Sequence, residues 1–189
     1  MPGELQVPAI PRVVIMTSDE IARMLNRLIA TCKDGEAGFQ AAWEAVLRSS
    51  YSLARDHDGA SHLPISAEQL KHLFASCSRQ RAAFAEDLQQ LVELYTSDDP
   101  QEETTLAGAL HRGIINFHAS LGMQGGIEAI LMECERGEER ALRQYEEAME
   151  RDLPPDVRPV VQSQYRCIQE TCAQIRELRL AIAAAGERT

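Results

Sequence analysis

The sequence predicts an all-α protein, an antiparallel bundle of about four long helices. Three observations carry this. Apolar residues recur three and four apart over long stretches, which places them on one face of a helix. Residues that start helices stand in front of these stretches, and proline, glycine and aspartate fill the connections. Nowhere does the chain alternate apolar and polar residues with the period of two that a half-buried strand requires.

Residues 1–17 hold three prolines and an apolar patch, Val13 to Met16, without helical spacing, and read as an extended arm. Thr17-Ser18-Asp19-Glu20 opens the first helix, with Ser18 as its cap and acids in the first turn, where the helix dipole favours them. This helix runs to about Arg55. Gly35 and Gly38 inside it are tolerated weaknesses of ~1 kcal/mol each against alanine. A loop follows at 56–65, and Ser66-Ala67-Glu68-Gln69 forms a capping box that opens a second helix reaching Tyr95. Asp98-Asp99-Pro100 and the acids after it start a third, ending near Gly122. Gly125-Gly126 then breaks the chain before a helix from Ile127 to about Arg151, so one position of the bundle is a helix split near Gly122–Gly126. Leu153-Pro154-Pro155-Asp156 turns the chain into a last helix that ends at about Ala185. The bundle spans 18–186 as a single domain, long enough to bury a real core.

The bulk composition excludes several classes of function. No apolar run approaches the ~20 residues of a membrane span. The first residues carry an early Arg12 and prolines where a signal peptide would have its apolar core, so they read as no secretion signal and the expected location is cytoplasmic. The net charge is −10, and no basic block stands apart from carboxylates, so a phosphate backbone would be repelled and nucleic acid is not an expected partner. Five cysteines form no C-x-x-C pair. Cys32, Cys77 and Cys134 fall on apolar stripes and read as small buried hydrophobes of a reducing compartment, while Cys167 and Cys172, five apart on one helix, point in different directions. There is no G-x-S-x-G elbow and no glycine-rich phosphate loop after a strand, so nucleophilic catalysis has no support.

Several segments resemble, in order, those of a bacterial family of ferritin-like four-helix-bundle proteins whose function is not established. Thr31 to Phe39 is similar to the family's CKDGEEGF signature, Gln80 to Ala85 to its QRAxFA segment, Ala107 to Gly113 to AGALHRG, and Glu133 to Glu139 to EECERGED. Asp152-Leu153-Pro154 and Ile175 to Arg179 complete the run, which covers roughly residues 20–180. The chain departs from the pattern at Asp87, where a glutamate is expected, at Cys172-Ala173, where the family carries a His-Asp pair, and in the longer 56–65 loop. The resemblance implies a ferritin-like fold and a role in stress response or protein interaction.

Three stripes carry one charge in the middle. Glu36 lies among Leu25, Leu28, Cys32, Phe39 and Trp43; Arg81 among Leu70, Phe74, Cys77, Phe84 and Leu88; Glu138 among Ile130, Leu131, Cys134, Ala141 and Tyr145. A charge there enters the bundle interior, where it must be paired or must bind something. One reading is a buried ion-pair network in which Arg81 bridges Glu36 and Glu138 and Gln164, in the last helix's stripe, completes it. A second is a di-metal site for iron or manganese that uses Glu36 and Glu138 with Glu44, Asp87 and Glu135 from the flanks of their stripes. Ferritin-like di-iron bundles place carboxylate and imidazole one turn apart as Glu-x-x-His, and no glutamate here has a histidine three residues later. Arg81 on the same seam would also compete with a dication for the carboxylates. A third reading is a small-molecule pocket in the bundle core. His111 and His118 lie two turns apart, ~10 Å of rise, too far for one ion, and His57, His62 and His72 surround the loop without a ligand pattern. The expectation is therefore a non-enzymatic bundle with a structural or protein-interaction role, without a cofactor and self-associating as a dimer.

Overall fold

The computed structural model describes residues 16–53, 65–96 and 126–186. They form four helices, α1 (Ser18–Leu53), α2 (Ala67–Tyr95), α3 (Ile127–Met149) and α4 (Val157–Gly186), and no strand occurs among the described residues. The architecture is an all-α four-helix bundle. The arm before Met16, most of the 56–65 loop, the helix expected between Pro100 and Gly122, and His57, His62, His111 and His118 lie outside the described residues. So does the split near Gly122–Gly126, apart from Gly126 itself, which occupies the N-cap of α3 with extended backbone.

Local chemistry accounts for the ends of the helices. Ser66 caps α2 as a capping box: its Oγ accepts from Gln69 N at 3.2 Å, and Gln69 Oε1 accepts from Ser66 N at 2.9 Å. At α1 the cap is Thr17, not Ser18. Thr17 N donates to Glu20 Oε2 at 2.8 Å and Thr17 Oγ1 accepts from Glu20 N at 3.3 Å. The reciprocal box needs a hydroxyl three residues before a glutamate, and Thr17 meets that spacing where Ser18 does not. At the start of α4, Pro154 O accepts from Val157 N at 3.1 Å and Arg158 N at 2.9 Å, which makes the Pro-Pro turn a helix nucleus.

The direction of each helix follows from what shares its core. The N-terminal half of α1 (Ile21 to Cys32) packs with the C-terminal halves of α2 (Ala85 to Val92) and α3 (Ala141 to Ala148) and with the N-terminal half of α4 (Val157 to Ile168). At the other end, Phe39 to Val46 of α1 packs with Leu70 to Cys77, Ile130 to Cys134 and Ile175 to Ile182. In chain order the helices run up, down, down, up. α1 packs on α2 and α3, and α4 packs on α3 and α2, so all neighbours around the bundle are antiparallel. The alternation along the chain expected from short turns stops at the α2–α3 junction, because α2 ends and α3 begins at opposite ends of the bundle. The two apolar clusters are separated by a middle layer, and that layer holds Arg81 and Glu138.

Candidate functional site

Arg81 and Glu138 meet across the diagonal of the bundle. Arg81 is 1% exposed and Glu138 2%, and Arg81 Nη2 donates to Glu138 Oε2. The Arg81 Nη1 donates to Gln80 Oε1 at 3.2 Å, the guanidinium carbon lies 5.4 Å from the centre of the Phe84 ring, and Nε is buried with no hydrogen-bond partner. The aliphatic part of the side chain lies on α1 at Gly35, where a Cβ would come within 3.2 Å of Arg81 Cδ and 3.3 Å of Cγ. Gly35 therefore leaves room for the arginine stem, a role that its helix propensity alone does not reveal. Burial pushes the Glu138 carboxyl above its ordinary range; the charge and hydrogen bond of Arg81 offset this only in part.

Glu36 stands apart from this pair. Its carboxylate is 24% exposed and accepts from Lys33 Nζ at 3.0 Å, one turn back on the same helix. Its backbone carbonyl receives Ser78 Oγ at 3.3 Å. Arg81 is thus brought to Glu138 and not to both glutamates.

Gln164 belongs to a second buried chain. Its Nε2 donates to Phe84 O at 3.2 Å and to Asp87 Oδ2 at 3.4 Å, which turns its Oε1 toward Tyr145. Tyr145 OH donates to that oxygen at 2.7 Å. With the phenol proton committed, the Cys32 thiol, 3.1 Å from Tyr145 OH, acts as the donor. Burial pushes the Cys32 thiol up to about 11 and the Tyr145 phenol well above its ordinary range. The chain links all four helices just below the Arg81–Glu138 layer, and burial keeps its thiol and its phenol protonated.

The carboxylates proposed as metal ligands are dispersed. Glu44 is exposed and 3.7 Å from Arg48. Asp87 is exposed and accepts from Gln164. Glu135, largely buried on the α4 side of α3, accepts from Arg176 Nε at 2.5 Å and Arg179 Nε at 2.7 Å. Burial would raise its carboxyl, but these two guanidinium groups outweigh burial and hold it below the ordinary range. Among the described residues no group of three His, Cys, Asp or Glu side chains converges to hold a metal ion. These residues do not fit a carboxylate-bridged pair of dications, because Glu36, Glu44, Glu135 and Glu138 each have a lysine or arginine partner.

Sequence reasoning missed three participants: Tyr145, read only as an apolar position; Gly35, read only as a weak point; and the Arg176–Arg179 clamp. Tyr145 carried a usable signal, since a phenol at a core position must find a partner for its hydroxyl.

A sequence family described as a domain of unknown function, DUF2383, matches residues 63–151. That span contains α2 and α3, and with them Arg81 and Glu138. It excludes α1 and α4, which supply Gly35, Cys32 and Gln164. No curated protein matches the chain.

Proposed function

We propose that this protein is a ferritin-like bundle that does not carry out di-iron chemistry and serves as a structural or protein-interaction element. The ferritin-like assignment is supported by the up-down-down-up order, in which the chain passes once from one end of the bundle to the other, as ferritin-like folds do. The match to a ferritin-like type of domain supports it further. The observation that carries the functional reading is the buried Arg81–Glu138 pair: a fixed cation occupies the polar middle layer and holds the one fully buried carboxylate of the seam. A guanidinium there opposes a dication electrostatically. The pair instead fixes which faces of α2 and α3 look inward, a role in register that buried polar groups perform in other bundles. Self-association into a dimer and a role in stress response rest on the family resemblance. For the carrier reading, a small pocket between α1 and α3, lined by Met24, Leu28, Arg27, Glu147 and Arg151 among others, measures about 30 Å³, enough for a water.

The test is elemental analysis of protein purified without a metal-affinity tag, followed by a challenge with ferrous iron in air. The expected result is neither bound iron or manganese nor catalysed oxidation. About two ions per chain, lost in Glu36→Gln and Glu138→Gln variants, would overturn the proposal.

A further inference from the structure

Each helix places one free, buried cysteine in the bundle interior: Cys32 on α1, Cys77 on α2, Cys134 on α3 and Cys172 on α4. Two of them share a level. α2 and α3 run in the same direction, Arg81 and Glu138 touch, and Cys77 and Cys134 each stand four residues before their member of that pair. Both thiols therefore lie one helical turn, about 5.4 Å, above the ion pair on the same side of it. Both belong to the same core cluster, with Phe39, Phe74, Leu70 and Ile130 around and beyond them. They are near enough for charge on Cys77 to act on Cys134. Cys32 lies on the other side of the pair with its thiol proton donated to Tyr145.

The absence of a three-ligand group among the described residues disfavours ions that need three or four donors. A soft monovalent ion needs only two, and thiolates select it over harder metals. We propose that Cys77 and Cys134 bind one copper(I)-class ion between their sulfurs, a site separate from the carboxylates of the seam and independent of the proposed role of the bundle. On binding, both thiols lose their protons to solvent and the ion gains two sulfur bonds, so no electron is transferred. The resulting bis-thiolate carries one negative charge. Arg81, one turn below, faces it with positive charge, while Glu138 and, beside Cys134, Glu133 face it with negative charge. Without the ion, burial keeps both thiols protonated, Cys77 pushed up to about 11, so the pair is inert toward general thiol chemistry.

The experiment titrates the reduced, tag-free, full-length protein with copper(I) under exclusion of air, against a chromophoric copper(I) chelator. The wild type is expected to withdraw one ion per chain. Cys77→Ser and Cys134→Ser should each weaken uptake by more than the roughly 10–100-fold that loss of a merely supporting residue causes, and Cys167→Ser should leave it unchanged. Copper-edge X-ray absorption of the loaded wild type needs no variant and should show two sulfur neighbours alone. Copper left on the chelator by the wild type, uptake by either serine variant equal to that of the wild type, or nitrogen or oxygen neighbours in the absorption spectrum would each overturn the proposal.

Discussion

Arg81→Met isolates the charge of the buried pair from its packing. Methionine keeps a side chain of similar reach, so the stem that lies on Gly35 is largely replaced. What is lost is the guanidinium that faces Glu138, a carboxylate only 2% exposed. Removing one partner of a buried pair costs about 3–5 kcal/mol when the other stays charged. For a chain of this size that is a fall of about 6–20 °C in Tm. The Glu138 carboxyl is already raised from its ordinary 4.5 with Arg81 present, chiefly by burial. Losing Arg81 raises it further. A folded-state value above the unfolded one means that the native protein binds a proton the unfolded chain has released, so stability falls as pH rises through that window. The penalty of Arg81→Met should thus be greatest at pH 7 and shrink as pH falls toward 4.5, the unfolded-state value, below which Glu138 becomes neutral in both states. Urea denaturation of wild type and variant at pH 7 and pH 5 measures this directly. Adding Glu138→Leu should return stability to the wild-type level or above it, because apolar replacement of a buried pair is neutral or stabilising by about 1–4 kcal/mol. An Arg81→Met protein as stable as wild type at pH 7, or a double variant no better than the single one, would refute the reasoning.

The other side chains of the seam behave differently. Glu36→Gln removes a half-exposed pair with Lys33 and should change stability by less than about 1 kcal/mol in the same denaturation assay. Tyr145→Phe leaves the Cys32 thiol and Gln164 Oε1 buried without their shared partner and should cost about 1–3 kcal/mol. The Glu135 carboxyl is held below its ordinary value, so the stability it contributes is present at neutral pH and disappears as pH falls through its folded-state value. Glu135→Gln should therefore be less stable than wild type at pH 7, and the gap should close as pH falls below 4.5 and through the folded-state value, as followed by circular dichroism.

What could be read from the sequence was what short-range chemistry decides. Ser66 and Gln69 are three residues apart, and their mutual cap fixes where α2 begins whatever the rest of the chain does. The cap of α1 was equally local: Thr17, not Ser18, stands three residues before Glu20. The stripes showed that Arg81, Glu138 and Gln164 face inward, because period alone decides that. Their partners were beyond reach. Glu36 and Glu138 occupy equivalent positions on their stripes, yet Lys33 is a local partner for Glu36, while Glu138 meets a cation only across the diagonal. That diagonal exists because α2 and α3 run in the same direction, and nothing in the intervening composition fixes a direction.

Gly35 tests whether the middle layer is rigid or merely polar. Alanine at a helix-interior glycine gains about 1 kcal/mol of propensity. The new Cβ, however, would sit 3.2 Å from Arg81 Cδ and 3.3 Å from Cγ, so the arginine must move. Its far end is tied to Glu138 and its flank rests on Phe84, which leaves it little freedom to do so. Overpacking of this kind costs about 1–3 kcal/mol. Gly35→Ala should therefore be neutral to destabilising by about 2 kcal/mol in the wild type, against the propensity scale. In the Arg81→Met/Glu138→Leu background the side chain at position 81 is no longer anchored and can swing aside. There the same substitution should stabilise the protein by up to about 1 kcal/mol. The two backgrounds form a double-mutant cycle whose coupling energy reports the anchoring of Arg81 and not the helix propensity, which cancels. Equal effects in both backgrounds would mean that the stem of Arg81 is free to move, and the pair with Glu138 could then not hold α2 and α3 in register.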